Sequence, residues 1–332
     1  MAPSAVTPPS GPSSSSQKPT AYLLDTIHPT ALALAHSLFN LITPTSPSHA
    51  TWRDQARYLL VRGSHVTASD IAASPHLKAI GKQGVGTDKI DASACATRGI
   101  KVLNTPGVNA RAVAELVVAL AAGLARQIRS ISVKVDRGEV VRKEECGGLI
   151  LHRCTVGVIG MGNIGKTVAG IFCGGYEAEI VAYDPYMAEG AWAEVPHKRV
   201  RSLRELLEVS DVVTVHVPLT PETRGLVGYE DMRGMKRNAL LINTARGGIV
   251  DEEALVRALD DGLIWGAGLD CHEQEPPTKG RYERLWKHDN VISLPHVGAA
   301  TAQTQMETAC AAVQRLYDYA ITQEPQVEEV RI

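Results

Sequence analysis

Apolar positions along this chain follow two alternating rhythms. Short unbroken runs of aliphatic and β-branched residues read as strands buried on both faces. Between them, apolar residues recur at three- and four-residue spacing, as one buried helix face requires. In the first block, the ordered chain is expected to start near Ala21-Tyr22-Leu23-Leu24, and strands are expected at Tyr58-Leu59-Leu60-Val61, at Lys78-Ala79-Ile80 and from Lys101 to Asn104. Their alternation with helical patterns predicts a small α/β unit. In the second block, strands are expected at Thr155 to Ile159, Glu179 to Tyr183, Asp211 to Val217, Ala239 to Asn243, Ile264 to Leu269 and Val291 to Leu294. Six strands separated by helices predict a doubly wound parallel sheet with ligands at the strands' carboxyl ends.

Helix boundaries can be read from capping residues. Asn109 can cap a helix whose apolar face runs Val113, Leu116, Val117, Leu120, Leu124, Ile128 over five turns. That face suits a subunit interface or a domain core equally. Ser202-Leu203-Arg204-Glu205 reads as a capping box, and Asp251 and Gly262 bracket another helix. The last run, Met306, Ala309, Val313, Leu316 and Ala320, is placed to pack back on the first block. The expected division is therefore a Ser/Pro-rich disordered leader (1–20), a discontinuous substrate domain (21–107 and 302–322), a cofactor domain (108–301) and a tail (323–332).

Composition narrows the function classes. The chain has 332 residues and a formal net charge of −2, with no basic run, so neither nucleic acid nor an anionic membrane is expected as a main partner. No apolar run reaches membrane-spanning length, and the N-terminus lacks the basic start and apolar stretch of a signal peptide. The six cysteines show no metal-ligand spacing, so no metal is expected, and four or five are read as small core residues. A reducing, cytoplasmic setting fits.

The strand Thr155–Ile159 runs into Gly160-Met161-Gly162-Asn163-Ile164-Gly165, and a helical pattern follows at once. The glycines permit a tight turn, close approach of a pyrophosphate and close helix-on-strand packing. Free N–H groups at the helix start then face the phosphates. Asp184, nineteen residues past Gly165, ends the next strand, where an acid bonds both ribose hydroxyls and repels a 2′-phosphate. NAD is therefore expected rather than NADP. Asp184 before Pro185 is otherwise a plain turn residue.

Polar residues gather after the later strands: Asn243-Thr244-Ala245-Arg246, then Asp270 and Glu275, then His296. Arg246 suits a substrate carboxylate and 2-oxo group. His296 suits proton transfer, since imidazole trades a proton near neutral pH. Glu275 is placed to fix its tautomer, and Asp270 to orient the nicotinamide. An isolated histidine is more often structural; joint placement after successive strands favours chemistry here. The loop Gly81 to Asp88 is either an ordinary turn or a set of N–H groups for an anion. Arg142-Lys143 is either a phosphate contact or a solvated pair.

These residues resemble the D-isomer-specific 2-hydroxyacid dehydrogenases from about Tyr58 to Tyr319. The similarity lies in Gly84-Val85-Gly86-Thr87-Asp88, Asn104-Thr105-Pro106-Gly107, Val113-Ala114-Glu115 and the glycine loop. It continues in Val215-His216-Val217-Pro218-Leu219, Asn243 to Asp251, and Pro295-His296-Val297-Gly298-Ala299-Ala300-Thr301. The resemblance implies a Rossmann cofactor domain with a smaller flavodoxin-like domain. It implies a catalytic set of Arg246, Glu275 and His296. Cofactor contacts would fall on Gly160, Gly162, Asn163, Ile164, Gly165, Asp184, Pro218, Thr244, Ala245, Arg246, Asp270, His296, Gly298 and Ala299. Substrate contacts would fall on Gly84, Val85 and Gly86, with Arg62 as the added cation of the phosphoglycerate branch. It also implies a homodimer built through the cofactor domains. Four departures stand out: Cys271-His272 where an aliphatic and a Phe are usual, a stretch from Leu149 to Thr155 without the usual polar lead-in, no regulatory domain expected after the last helix, and an extra Ser/Pro-rich leader.

The expected activity is hydride transfer between NAD(H) and a D-2-hydroxy or 2-oxo acid of the 3-phosphoglycerate type. A glyoxylate/hydroxypyruvate reductase is the neighbouring reading. An NAD(H)-sensing, corepressor-like binding protein is the reading of another class.

Overall fold

The computed structural model describes residues 18–323; the disordered leader expected up to residue 17 and the tail from 324 to 332 lie outside the described residues. The chain divides into two compact units. One contains residues up to Gln83, Thr87–Asn104 and the chain from Ala309; the other contains Gly84–Gly86 and Thr105–Thr308.

The first unit is a five-stranded parallel sheet of β1 (Thr20–Leu23), β2 (Asn40–Ile42), β3 (Tyr58–Val61), β4 (Ala79–Lys82) and β5 (Lys101–Leu103), in the order β2-β1-β3-β4-β5. This is the flavodoxin-like order expected. Each face carries its own core. Ala21, Leu23, Tyr58 and Leu60 pack with Ala31 and Ala35 of the helix Pro29–Leu38 and with Ala309, Val313 and Leu316 of the last helix, Ala302–Gln323. Tyr22, Leu59 and Ile80, in register across the sheet, pack on the opposite face with Trp52, Ile71 and Ile90.

The second unit is a seven-stranded parallel sheet. Its strands are β6 (Thr155–Ile159), β7 (Glu179–Tyr183), β8 (Lys198–Arg199), β9 (Val212–Val215), β10 (Leu240–Asn243), β11 (Gly266–Leu269) and β12 (Val291–Ser293). The order is β12-β11-β10-β9-β6-β7-β8. The chain winds outward from β6 through β7 and β8, then returns to β9 on the other side of β6. The carboxyl ends of β6 and β9 therefore form the switch point where such sheets bind ligands. A Rossmann sheet is thus present, with cores on both faces.

Some local expectations need correction. Ordering starts before residue 21: Thr20 is already in β1, and Lys18 Nζ donates to His36 O at 3.1 Å. The three-residue β2 and two-residue β8 were not foreseen. Each is too short to show a period, and each forms by pairing, β2 along β1 and β8 along Val181–Ala182. The long helix stops at Ala125, where the Ala125 carbonyl accepts from Leu149 N and Gln127 adopts φ +52°. A second helix, Ile128–Asp136, leaves at 64°, so Ile128 does not continue the buried face and is 58% exposed. Asn109 holds the cap position but makes no cap bond. Its φ of −92° and ψ of 1° are not the extended geometry a side-chain cap needs. Ser202 accepts from Glu205 N, but Glu205 takes the N–H of Arg201 rather than that of Ser202. Cys95, Cys154 and Cys271 are buried, and Cys173 and Cys310 pack against cores. Among the described residues no single helix is long and apolar enough to cross a membrane.

Candidate active site

Packing dictates the glycine loop. A Cβ on Gly160 (φ +98°) would lie 2.6 Å from His216 O, and one on Gly165 2.2 Å from Gly160 O. These two glycines let the loop fold onto β9 and let the helix Asn163–Tyr176 press onto the loop. Gly162 differs: a Cβ there would meet nothing within 4 Å, so space stands open before the helix start. Asp184, at the end of β7, accepts from Met161 N (2.9 Å) and Tyr186 N (3.0 Å), which fixes its carboxylate beside that loop. Two supports escaped the sequence reading. Trp192 Nε1 donates to Met161 O at 2.8 Å. Arg199 donates to the carbonyls of Asp184, Met187 and Ala188 at 2.7, 2.5 and 2.9 Å. Both contacts arise from tertiary packing and leave no local pattern.

After β9 the chain runs through His216 to Pro218. His216 Nε2 lies 2.9 Å from Thr214 Oγ1, and Nδ1 is buried with no partner among the described residues. Burial pushes this imidazole down to about 3, so it is neutral near pH 7.

The turn after β10 is closed by Asn243, which donates to Arg246 O (2.7 Å) and accepts from Ala245 N (3.0 Å). Arg246 Nη1 donates to Ala245 O at 2.6 Å. Next in the chain is Gly247, where a Cβ would sit 2.0 Å from the backbone carbon of His272. Only a residue without a side chain lets the Arg246 turn lie on the loop that carries Glu275.

That loop follows β11 and is held from below. Glu273 N donates to Glu252 (2.8 Å), and Gln274 N donates to Tyr282 Oη (3.0 Å). Burial raises the Glu252 carboxyl above its ordinary value. His272 is buried edge-on to Tyr282 at 4.9 Å between ring centres, and its Nε2 meets Ser293 Oγ. The imidazole here fills a space that suits an aromatic ring, and burial lowers its affinity for a proton.

His296 leaves β12 in a left-handed turn (φ +58°), and Asp270 holds that turn. Asp270 is fully buried. Its two carboxylate oxygens accept from Val297 N (2.7 Å) and Gly298 N (2.8 Å), and its carbonyl accepts from His296 N (2.7 Å). Asp270's own N–H donates to Asn243 O at 2.9 Å, while its carboxylate is held by the backbone of the His296 turn. Gly298 keeps the approach close, since a Cβ there would lie 3.0 Å from Asp270 Oδ2.

His296 Nδ1 meets both oxygens of Glu275, at 3.0 and 3.1 Å. With Nδ1–H donating to the carboxylate, Nε2 is left to exchange a proton. Burial alone would raise the Glu275 carboxyl. The His296 hydrogen bond and charge, the His272 N–H and the Arg246 charge outweigh it and hold Glu275 below its ordinary value. Arg246, Glu275 and His296 thus come from three consecutive strand ends of one sheet.

The substrate candidates are more mixed. The Gly84 N–H donates to Thr105 Oγ1 at 3.0 Å, so of the two readings of this loop Gly84 follows that of a turn. Val85 and Gly86 are half-buried beside it. In the other unit, Arg62 is exposed. Its backbone is pinned on both sides: Asp25 accepts from the N–H groups of Arg62 (2.6 Å), Gly63 (3.1 Å) and Ser64 (3.0 Å), and Lys82 Nζ donates to Arg62 O (2.8 Å).

A dinucleotide fits the second unit by its own features. Open space lies before a helix start at Gly162, a carboxylate ends β7, and Thr244 Oγ1 is buried at the end of β10 with no partner among the described residues. Asp184 and the helix N–H groups would hold the ribose and the phosphates, and Thr244 would gain the partner it lacks.

Comparison with known proteins agrees. Residues 118–298 match the family described as D-isomer specific 2-hydroxyacid dehydrogenase, NAD binding domain. The hydroxypyruvate reductase of Thermotoga maritima is 40% identical over 260 residues, covering 78% of this chain and 83% of that protein. The D-3-phosphoglycerate dehydrogenase of Methanocaldococcus jannaschii is 41% identical over 251 residues, 75% of this chain but only 47% of that longer protein. Among solved structures, the NADPH-dependent glyoxylate/hydroxypyruvate reductase of Sinorhizobium meliloti superposes with a TM-score of 0.80 at 29% identity, covering 92% of this chain and 96% of that one. With a matched cofactor domain, a hydrogen-bonded Glu–His pair at the tips of its sheet and relatives at this identity, the chain belongs to the NAD-dependent D-isomer-specific 2-hydroxyacid dehydrogenases.

Proposed function

We propose that this protein interconverts a D-2-hydroxy acid and its 2-oxo acid, with a substrate of the 3-phosphoglycerate type. The Glu275–His296 pair, 3.0 Å apart and followed in space by the Arg246 turn, carries the reaction class. NAD supplies or accepts the hydride when bound. Arg246 binds the substrate carboxylate through its guanidinium fork and polarises the 2-oxo oxygen. His296 Nε2 protonates that oxygen in reduction and takes the hydroxyl proton in oxidation. Glu275 stays ionised and balances the imidazolium formed in oxidation. Asp270 holds the histidine turn in place.

Arg62 supports the phosphorylated substrate. Asp25 and Lys82 spend themselves on the backbone around it, so its exposed guanidinium stands on a fixed base. A second reading, reduction of glyoxylate or hydroxypyruvate without a phosphate, is favoured by the coverage of the Thermotoga reductase, 83% against 47% for the phosphoglycerate enzyme. Steady-state rates with 3-phosphohydroxypyruvate, hydroxypyruvate and glyoxylate, each with NADH and NADPH, separate the two. The first predicts the highest kcat/KM for the phosphorylated acid with NADH. Equal or better use of the unphosphorylated acids would overturn it in favour of the second. NADH binding with no turnover of any 2-oxo acid would favour a nucleotide-sensing protein instead.

The reading includes a homodimer built through the second unit. Ile128, Val135, Val140 and Ile150 of that unit are 58, 57, 86 and 82% exposed, an apolar set that a second copy would cover. Sedimentation analysis tests it, with a monomer at micromolar concentration as the contrary result. A cytoplasmic setting is part of the same proposal.

A further inference from the structure

Cys271 takes no part in the chemistry above, yet it lies against it. It is 1% exposed, the first residue after Asp270, and its Sγ sits 3.4 Å from Ala245 O. From there the thiol faces the acid–base pair. One ligand atom each from Cys271, Glu275 and His296 lie within 4.8 Å of one another. Among the described residues this is the one such group of three.

We infer that Cys271, Glu275 and His296 form a binding site for a thiophilic divalent cation, Zn2+ or Cd2+, whose occupation blocks turnover. The donor set is one sulfur, one imidazole nitrogen and one carboxylate oxygen, each a donor that zinc takes, and three protein ligands leave the fourth position to water. Ligand bonds of ~2.0–2.3 Å put neighbouring donors about 3.3–3.8 Å apart in a tetrahedron, so the group closes onto an ion by about an ångström. Hard, oxygen-seeking Mg2+ gains little from a thiolate and is not held. Sequence spacing hid the site because its ligands come from two separate strand ends, and Cys271 stands at a position where an aliphatic residue is more usual.

The ion occupies the place of the proton between Glu275 and His296. Binding releases the thiol proton and moves the displaced Nδ1 proton to Nε2, which ties up the imidazole that the proposed reaction needs. Occupation of the site stands on geometry alone; the inhibition rests on the proposed role of His296. The two can be read apart.

The test titrates the whole protein with CdCl2, following the ultraviolet charge-transfer absorbance of a cadmium–thiolate bond. Turnover is measured in parallel with ZnCl2, CdCl2 and MgCl2, and then after EDTA. One tight equivalent of Cd2+, inhibition by Zn2+ reversed by EDTA, and no effect of Mg2+ are expected. Cys271→Val and Cys271→Ser should each lose that equivalent and raise the inhibitory Zn2+ concentration by ~100-fold relative to the variant's own rate. Two substitutions guard against one that fails to fold. Wild-type Cd2+ uptake and Zn2+ sensitivity retained in both variants would overturn the site. Loss of the Cd2+ equivalent together with a wild-type rate that Zn2+ leaves untouched would keep the site and instead remove His296 from its proton-transfer role.

Discussion

Single atoms decide the chemistry, and each carries a consequence. His296→Ala should lower kcat by about 10²–10⁴-fold while leaving NADH affinity near normal, read by steady-state rates and fluorescence titration. Glu275 is held below its ordinary value of 4.5, so its charge persists above that value and is lost only as pH falls through the lowered one. A rate that declines between pH 7 and 5 is therefore not protonation of Glu275. His216 works the other way. Its folded value of about 3 lies below its ordinary 6.5, so the unfolded chain takes up the proton first as pH falls. The stability it contributes is complete above 6.5 and is lost from there toward 3. His216→Gln should flatten the fall in Tm over that window; an unchanged slope would remove His216 as its cause. Asp25, despite burial, is held low by the N–H groups it accepts, Arg62 first. Asp25→Asn should raise KM for the phosphorylated acid several-fold and leave the unphosphorylated acids unaffected. A uniform loss across substrates would mean that Asp25 serves folding alone.

Among the elements, the loop that carries Glu275 shows where reading residues in order succeeds and where it fails. Arg246, Glu275 and His296 are legible because each follows a strand whose apolar run is plain, and parallel winding brings such ends together. What holds them is not legible. Glu252 reads as an ordinary first-turn acid, yet it is buried and takes the Glu273 N–H. Tyr282 reads as one aromatic on a helix, yet its hydroxyl takes the Gln274 N–H. Glu252→Ala strands that N–H at a cost of about 1–3 kcal/mol, lowers kcat and leaves KM for NADH unchanged. Glu252→Gln keeps an acceptor oxygen and should restore most of the rate. Boundaries failed where geometry rather than composition sets them, as at Asn109, whose backbone is in the wrong conformation to cap, and at Ala125, where a carbonyl taken by Leu149 ends a helix that its apolar spacing continues.

At the scale of the molecule, the two parallel sheets follow from the alternation of runs, while the strands β2 and β8 do not, because they exist only by pairing. The first sheet has a further dependence. One of its faces is covered by Ala309, Val313, Leu316 and Ala320 from the chain's last helix, and a Cβ on Gly81 of β4 would already meet the Ala312 carbonyl at 3.1 Å. The strands concerned nevertheless precede that helix by the whole length of the second unit. On the ribosome, then, this sheet must wait for a helix that follows far behind it before it can hide its oily side, and a nascent chain halted after residue 308 should be the form that chaperones capture.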